Sequence, residues 1–388
     1  MHLGRRPTRL PEELRSNHNL DPRAAWRAVV ERAIAEKVDA VLLAGDVVDS
    51  KNHFMEAYGA LQEGVRRLER EGIEVVCVAG NHDVEALPRL ADELPHVKLL
   101  GRSGEWHSHI ISRAGVPILR VIGWSFPRTH FESNPLDSMS SDMRAGRYGD
   151  GAPDDLKTVG LLHCDLDGSD RRYAPVSKTS LAQLDMSISA WFLGHNHGPT
   201  IRGGGRPVGY LGSLVGLDPG ETGAHGPWLA TAESGHWEME HIPLSPVRWE
   251  TLEVDVQACE DSERIQSALV RSLHEFEAEL GSTLGAARVV GVRLRLVGSC
   301  GAPLSEIRDA MRHALTLELL LNDTHYFVDK VFDETRPKVD LELLAAQNDP
   351  VGIIAQRLIA LEEGGAACAA LIAGLRPRLE GVLTHQNL

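Results

Sequence analysis

What this chain lacks narrows it first. No apolar run is long enough to cross a bilayer; the longest are stretches such as Val41–Ala44 and Val75–Ala79. The opening MHLGRRPTRLPEELRSN carries charge but not the apolar segment of a secretory signal. The five cysteines (Cys77, Cys164, Cys259, Cys300, Cys368) are scattered, odd in number and form no CxxC pair. That pattern argues against a disulfide framework or a zinc ribbon, and for a reducing, cytoplasmic setting with no membrane partner. Positive charge is also short, with 40 Lys and Arg against 55 Asp and Glu, a net charge of −15. The deficit is shared, with 26 basic and 33 acidic residues before Val247 and 14 and 22 from there on. Neither part is a basic module, which lowers the expectation of a nucleic-acid partner, because phosphate contacts need Lys and Arg. It does not exclude one, since bound metal ions can supply positive charge where a phosphate sits.

What is present is an ordinary globular mixture, 388 residues with 43% hydrophobic and 24% charged side chains, long enough for two domains. Asp21-Pro22 opens an amphipathic helix, Asp21 as cap and Pro22 at the first helical position, with Trp26, Val29, Val30, Ala33 and Ile34 on one face. The apolar run Val38–Ala44 stops at Gly45-Asp46. After a second helical stretch (about Met55 to Glu71), the run Ile73–Ala79 stops at Gly80-Asn81. Apolar runs alternating with helices predict an α/β fold whose strands are buried on both faces. Further strands are expected at Ile118–Trp124, Thr158–Leu162, Ala190–Leu193 and Pro207–Leu211, with a long loop over Ser133–Asp155.

The pattern changes near Pro243–Pro246. Leu252, Val254 and Val256 alternate with Thr251, Glu253 and Asp255, as in a strand with one wet face. Helices near Asp261–Leu280 and Pro303–Leu315, an alternating strand through Val290–Leu296 and an aromatic strand at Tyr326–Phe332 complete a small βαβαβ-like unit. From Asp349, two helices separated by Gly364-Gly365 are expected to pack Ile353, Ile354, Leu358 and Leu361 within that unit. The domain expectation is therefore 1–246, 247–345 and a helical segment 346–388.

Four segments share one arrangement, an apolar strand ending abruptly in residue types that bind metals. They are Gly45-Asp46-Val47-Val48-Asp49, Gly80-Asn81-His82-Asp83, Leu161-Leu162-His163 and Gly194-His195-Asn196-His197. In open α/β sheets ligands bind beyond the carboxyl ends of strands, so four such ends can converge on one site. A carboxylate can bridge two divalent ions, an amide oxygen adds a neutral ligand and imidazoles complete each sphere. Two ions about 3.5–4 Å apart can generate a hydroxide and clamp the attacking and leaving oxygens of a phosphoryl displacement.

GDVVD, GNHD and GHNH, in this order and with His163 between the last two, resemble the signature of the calcineurin-like metallophosphoesterases. The chain is similar in particular to bacterial DNA-repair exonucleases of the SbcD/YhaO type. The similarity rests on HLGR at residues 2–5, VDAVLLAGDVVDS, GIEVVCVAGNHD, GLLHCDLDG followed by YAPVS, WFLGHNHGP and GYLGSLVGLDPGETGAHG, and spans nearly all of residues 2 to 240. The resemblance implies a four-layer α/β/β/α metallophosphoesterase sandwich with a small α/β capping domain and C-terminal helices. It implies two divalent ions, Mn(II) foremost, and hydrolysis of DNA phosphodiester bonds. Asp46 would bridge both ions, Asn81, His163 and His195 would complete one site, and His197 with His2 would serve the other. His82 would contact the scissile phosphate and protonate the leaving oxygen. Asp49 and Asp83 would orient the histidines. An SMC-like ATPase partner and a homodimer follow from the same resemblance.

In that family the opening motif is a strand ending in Asp-x-His-Leu-Gly, and here Met1 stands at the x position, without the Asp and its strand. A start set downstream of the natural one, or a truncated chain, accounts for this; the alternative is a chain with a weakened first metal site. Arg5, Arg6, Arg9 and Arg15 are candidates for steering a polyanion, with Arg5 and Arg6 nearest the motif. Arg293 and Arg295 could meet a DNA backbone but read first as a solvated strand face. His107 and His109 repeat an HxH spacing without the preceding strand and glycine. Cys164 reads as a small buried residue, and Tyr173 as either groove lining or packing. His18, His53, His96, His130, His225 and His313 read as surface or core residues. Two other functions remain open: a phosphodiesterase or phosphatase for a small molecule or protein, and a catalytically weakened DNA-end-binding subunit.

Overall fold

The computed structural model describes residues 1–49, 54–153, 155–168, 170–184, 188–233, 235–257, 259–338, 341–364, 369 and 372–373. A first sheet has the order β1-β2-β3, with β1 (Ala40–Ala44), β2 (Glu74–Val78) and β3 (Val97–Leu99) all parallel. A second, five-stranded sheet comprises β4 (His107–Arg113), β5 (Val116–Trp124), β6 (Thr158–His163), β9 (Ile188–Gly194) and β10 (Val208–Tyr210), in the order β10-β9-β6-β5-β4. Its neighbours run parallel except for β4 against β5. A short parallel pair, β7 (Asp165–Leu166) and β8 (Pro175–Val176), and a hairpin of β11 (Trp228–Glu233) and β12 (His236–His241) flank these sheets.

The period-2 rule of strands sorts the side chains into layers. Val75 and Cys77 of β2 face α1 (Pro22–Glu36), α2 (Phe54–Arg70) and α3 (Ala86–Glu93), while Val76 and Val78 face Val121, Val159, Leu161 and Phe192 of the second sheet. The far face of that sheet, with Trp124, Leu162, Trp191 and Leu193, packs on α5 (Lys178–Gln183) and on the long connection holding α4 (Ser141–Arg144). The result is the expected α/β/β/α layering. Asp21 caps α1 through Oδ1, which accepts from the Arg23 N–H at 2.9 Å, as its sequence suggested.

The 133–155 connection is fastened from below by Arg120, fully buried on β5. Its guanidinium donates to Asp150 at 2.7 and 3.0 Å and to the Pro153 carbonyl at 3.1 Å. Sequence reading gave no hint of this buried pair. A cavity of about 710 Å³ lies between the outer edge of β1 and the β11–β12 hairpin, with Trp26, Phe192, Trp228 and Trp237 among its walls.

From Val247 a separate sheet begins, in the order β13-β14-β16-β15: β13 (Val247–Asp255), β14 (Val289–Cys300) and β16 (Thr324–Pro337) are parallel, and β15 (Glu318–Leu321) is antiparallel to β16. Residues 254–331 supply a core of their own, in which Val292, Leu294 and Leu296 meet Ile265 and Leu269 of α6 (Ser262–Leu280) and Ile307 and Ala310 of α7 (Leu304–Ala314). The sheet's other end sits on the N-terminal part, where Trp249 and Phe327 pack with Leu10, Leu20, Val215 and Leu217.

One expectation fails here. α8 (Leu341–Ala345) precedes α9 (Pro350–Glu363), and α9 leaves Ile353, Ile354 and Leu358 exposed. Its buried positions are Gly352 and Ala355. The small residues approach α8, whereas the larger apolar ones find no layer to cover them among the described residues. Most of the helix expected after Gly365 lies outside the described residues.

Candidate metal centre

β1, β2, β6 and β9 all end on the same side of the sandwich, which brings their exit turns together. At the end of β1 the chain turns through Gly45 (φ +84°) and Asp46 (φ +49°). A side chain at Gly45 would clash with the His163 ring, and one at Gly80 with the Asp46 carboxylate. Both glycines are therefore required by close approach rather than by turn preference alone.

Asp46 is the hub. Its Oδ2 lies 3.4 Å from His163 Nε2 and 3.6 Å from His2 Nε2, and its Oδ1 accepts from the His82 N–H at 3.0 Å. His163 Nε2 lies 3.2 Å from Asn81 Oδ1, and His2 Nε2 lies 3.1 Å from His197 Nε2. The His195 ring sits 5.3 Å from the His163 ring, centroid to centroid. Asp46, Asn81, His2, His163, His195 and His197 thus converge. His82 is exposed at the mouth, with its ring 5.1 Å from that of His2. Ligand atoms of His2, Asp49 and His82 lie within 4.8 Å of one another, so Asp49 also reaches the centre.

Asp83 stands below the turns, fully buried, and ties two of them. It accepts from Val47 N and Gly80 N, each at 2.7 Å. Burial and the neighbouring Asp46 charge push its carboxyl up to about 8, against the pull of those N–H donors. Burial also works against the Asp46 carboxylate, but His163, His2 and His82 around it prevail and hold it below the usual carboxylate range. Burial depresses His2 and His163, and lowers His195 to about 4. Burial thus disfavours the charged form of all three imidazoles, which leaves them as electron donors around the Asp46 carboxylate.

This donor set suits divalent metal. Ligand bonds of about 2.1 Å meeting at tetrahedral or octahedral angles separate donor atoms by about 3.0–3.4 Å. The His2–His197, His163–Asn81 and His163–Asp46 separations of 3.1, 3.2 and 3.4 Å fall in that range. His2 Nδ1 is buried with no hydrogen-bond partner among the described residues, an orphan atom in the wall of the site.

The other candidates are placed as follows. Arg5 Nε is 3.8 Å from Asp49 Oδ2 and Arg6 Nη2 is 3.9 Å from Glu56 Oε2, both partly exposed beside the centre. Arg9 faces Asp329 at 3.7 Å and Arg15 donates to the Leu10 carbonyl, so neither points at the site. Arg293 pairs with Asp329, and Arg295 with Glu334 and Glu253, on the C-terminal sheet. His109 pairs with Glu74, and Cys164 is buried with its thiol pushed up by burial. Tyr173 is at the site after all, its ring 5.1 Å from His195. His53 lies outside the described residues. Sequence reading missed Glu221, whose Oε1 meets His197 Nδ1 at 2.7 Å; no spacing rule links positions 24 residues apart.

The sequence profile of one family, described as calcineurin-like phosphoesterase, matches residues 17–199. The matched stretch holds β1, β2, β6 and β9, the strands whose exits form the centre, so the chain is similar to that family where most of its candidate ligands lie. Phosphoesterases of this family use two divalent metal ions, and hydrolysis of phosphoesters is their chemistry. The chain is also similar to an uncharacterized metallophosphoesterase, YhaO, of Bacillus subtilis (strain 168), with 28% identity over 250 residues. That match covers 64% of this chain and 58% of the relative's length. Among solved structures, a dimetal phosphatase from Danio rerio is 16% identical, covering 60% of this chain and 90% of its own at a TM-score of 0.38. No described helix is long and apolar enough to cross a membrane.

Proposed function

We propose that this chain hydrolyses phosphodiester bonds in DNA, as an exonuclease that works with two divalent ions, Mn(II) by preference. The observation that carries the metal-dependent part is the convergence of His2, Asp46, Asn81, His163 and His197 within ligand-to-ligand distances, with the His195 ring beside that of His163. The DNA part rests on the resemblance of the motifs alone. In this reading Asp46, Asn81, His163 and His195 would hold one ion, and His2 and His197, with Asp46 beside them, would hold the other. Bound there, two divalent ions would supply an activated water and neutralise charge on the phosphate.

The chain's own residues do the rest. Asp83 and Asp49 hold the turns that aim Asn81 and the histidines. Exposed His82, its backbone anchored to Asp46, stands where a substrate arrives and donates a proton to the departing sugar oxygen. Tyr173 walls the site beside His195. Residues 247–345 serve as a cap on the N-terminal part. The same reading extends to an SMC-like ATPase and a homodimer as partners, and the exposed apolar side chains of α9 offer surface for contact.

One observation favours a second reading. Arg5, Arg6, Arg9, Arg293 and Arg295 all stand beside carboxylates, which leaves fewer cations for a polyanionic strand. A small phosphodiester or a phosphorylated protein needs fewer. Digestion of end-labelled linear DNA with Mn(II), by the wild type and by His82→Ala, separates the readings. The expected result is digestion by the wild type and a loss of about 10²–10⁴-fold in the variant. Binding of DNA ends without cleavage would replace the nuclease with an end-binding subunit. Silence on DNA with turnover of a small phosphodiester would overturn the DNA reading and install the second.

A further inference from the structure

Three histidines aim Nε2 at the centre or its neighbours, and their Nδ1 atoms are backed in three ways. His163 Nδ1 meets the Ala44 carbonyl oxygen at 2.9 Å, and His2 Nδ1 has no hydrogen-bond partner among the described residues. His197 Nδ1 faces a carboxylate, Glu221 Oε1, at 2.7 Å. A neutral imidazole carries a single ring proton, and only its unprotonated nitrogen can bind a cation. A carboxylate accepts hydrogen bonds and cannot donate one. Glu221 therefore draws the His197 proton to Nδ1 and leaves the lone pair on Nε2, the atom 3.1 Å from His2 Nε2.

We propose that Glu221 is a positioning residue for the metal centre, fixing both the tautomer and the ring plane of His197. This rests on the reading of His197 as a metal ligand. Glu221 is well fixed for the task. Its Oε2 accepts from Leu217 N at 2.9 Å, and its backbone carbonyl faces His225 Nε2 at 3.1 Å. His225 Nδ1 meets Ser213 Oγ at 2.9 Å, and Ser213 N donates to the His197 carbonyl at 3.0 Å. The path returns to its start, a closed hydrogen-bonded ring through His197, Ser213, His225 and Glu221. The C-terminal sheet clamps the same loop from outside, since Trp249 Nε1 donates to the Gly216 carbonyl and Gly223 N donates to the Trp249 carbonyl, both at 2.9 Å. Such supporting partners of metal-bound histidines typically change metal affinity by about 10–100-fold when removed.

The amide variant is the sharpest probe. In Glu221→Gln one of the two positions must become an NH₂. Facing Leu217 N–H it would set donor against donor; facing His197 it would donate to Nδ1 and drive the ring proton to Nε2. The test is ¹⁵N NMR of the His197 ring in metal-free protein, together with Mn(II) binding by calorimetry, for wild type, E221Q and E221A. The expected result is an Nδ1–H tautomer in the wild type, loss of that tautomer in both variants, and Mn(II) binding weakened about 10–100-fold. Melting curves verify that both variants remain folded, and E221Q keeps the side-chain volume should E221A unfold. Unchanged tautomer and affinity in a folded variant would overturn the role of Glu221 alone. A wild type that binds no Mn(II) would overturn the metal reading as well.

Discussion

β1, β2, β6 and β9 leave their sheets through turns that crowd ligand side chains together, whereas β13, β14 and β16 of the C-terminal sheet end at Asp255, Cys300 and Pro337 without such a cluster among the described residues. Both regions are built mainly of parallel strands under helices, with an antiparallel strand at one edge of the five-stranded sheet and of the C-terminal sheet. The difference lies in the exits. In the N-terminal region His2, Asp46 and His195 take positive φ (+55°, +49°, +104°), a conformation costing about 1–3 kcal/mol at a non-glycine residue. In the C-terminal region the corresponding residues are Asn322 and Asp323, in the tight turn between β15 and β16 where that conformation is routine. Among the described residues before Val247, three of the nine non-glycine positions with positive φ thus stand at the centre, the others being Arg9, Lys37, Ser103, Ala114, Asp167 and Ala174. The C-terminal sheet instead matches its charges internally, with Arg293 against Asp329 and Arg295 against Glu334 and Glu253.

Five substitutions or conditions would break or sharpen that contrast. The largest effect is expected from Asp46→Ala, which removes the hub carboxylate: turnover should fall by about 10³-fold or more, with Mn(II) binding lost and the fold retained. Activity and calorimetry check it; a variant that still binds two ions would deny Asp46 its place. Arg120→Ala leaves Asp150 without its buried partner and should cost about 3–5 kcal/mol in urea unfolding. Leu294→Ala, fully buried under α6 and α7, should cost about 2–5 kcal/mol while leaving Mn(II) affinity unchanged, the mirror image of Asp46→Ala.

Acid supplies the fourth. His195 titrates near 4 in the fold against about 6.5 unfolded, so the unfolded chain binds the extra proton first. Metal-free protein should hold this contribution above pH 6.5 and lose it progressively as the pH falls toward 4. His2, His163 and His225 add in the same direction and outnumber Asp83, whose raised carboxyl opposes them over this window. Melting temperatures measured across that window check the sign; stability rising on acidification would refute it. The smallest effect belongs to Arg295→Ala, whose exposed pairs should leave the melting temperature unchanged within error.

Much of this was legible in advance, for identifiable reasons. The apolar runs ending at Gly45, Gly80 and Gly194 predict buried strands with tight exits; each strand and exit exists, but β1 is mostly half-buried because it lines the cavity beside the β11–β12 hairpin. The helices near Met55–Glu71 and Asp261–Leu280 fall within a residue of α2 and α6, because their apolar periodicity spans several turns. The β11–β12 hairpin and β4 went unseen. Their residues are largely exposed or polar, His107 and His109 included, so no alternation of burial announced them. α9 misled in the opposite sense, since its apolar positions promised a core that the described structure does not provide.

The amino-acid sequence by itself determined the strand-and-helix alternation, the glycine exits and the types of ligand that follow them, since each depends on neighbours a few residues apart. The motifs already grouped His2, His163, His195 and His197 out of eighteen histidines; only the tertiary structure decided which ring atoms face each other, that Arg120 holds the 133–155 connection, and that Glu221 backs His197. His2 and His197 stand 195 positions apart and touch because two sheets pack face to face. Contacts of that range depend on how whole layers fit, and local residue patterns do not encode them.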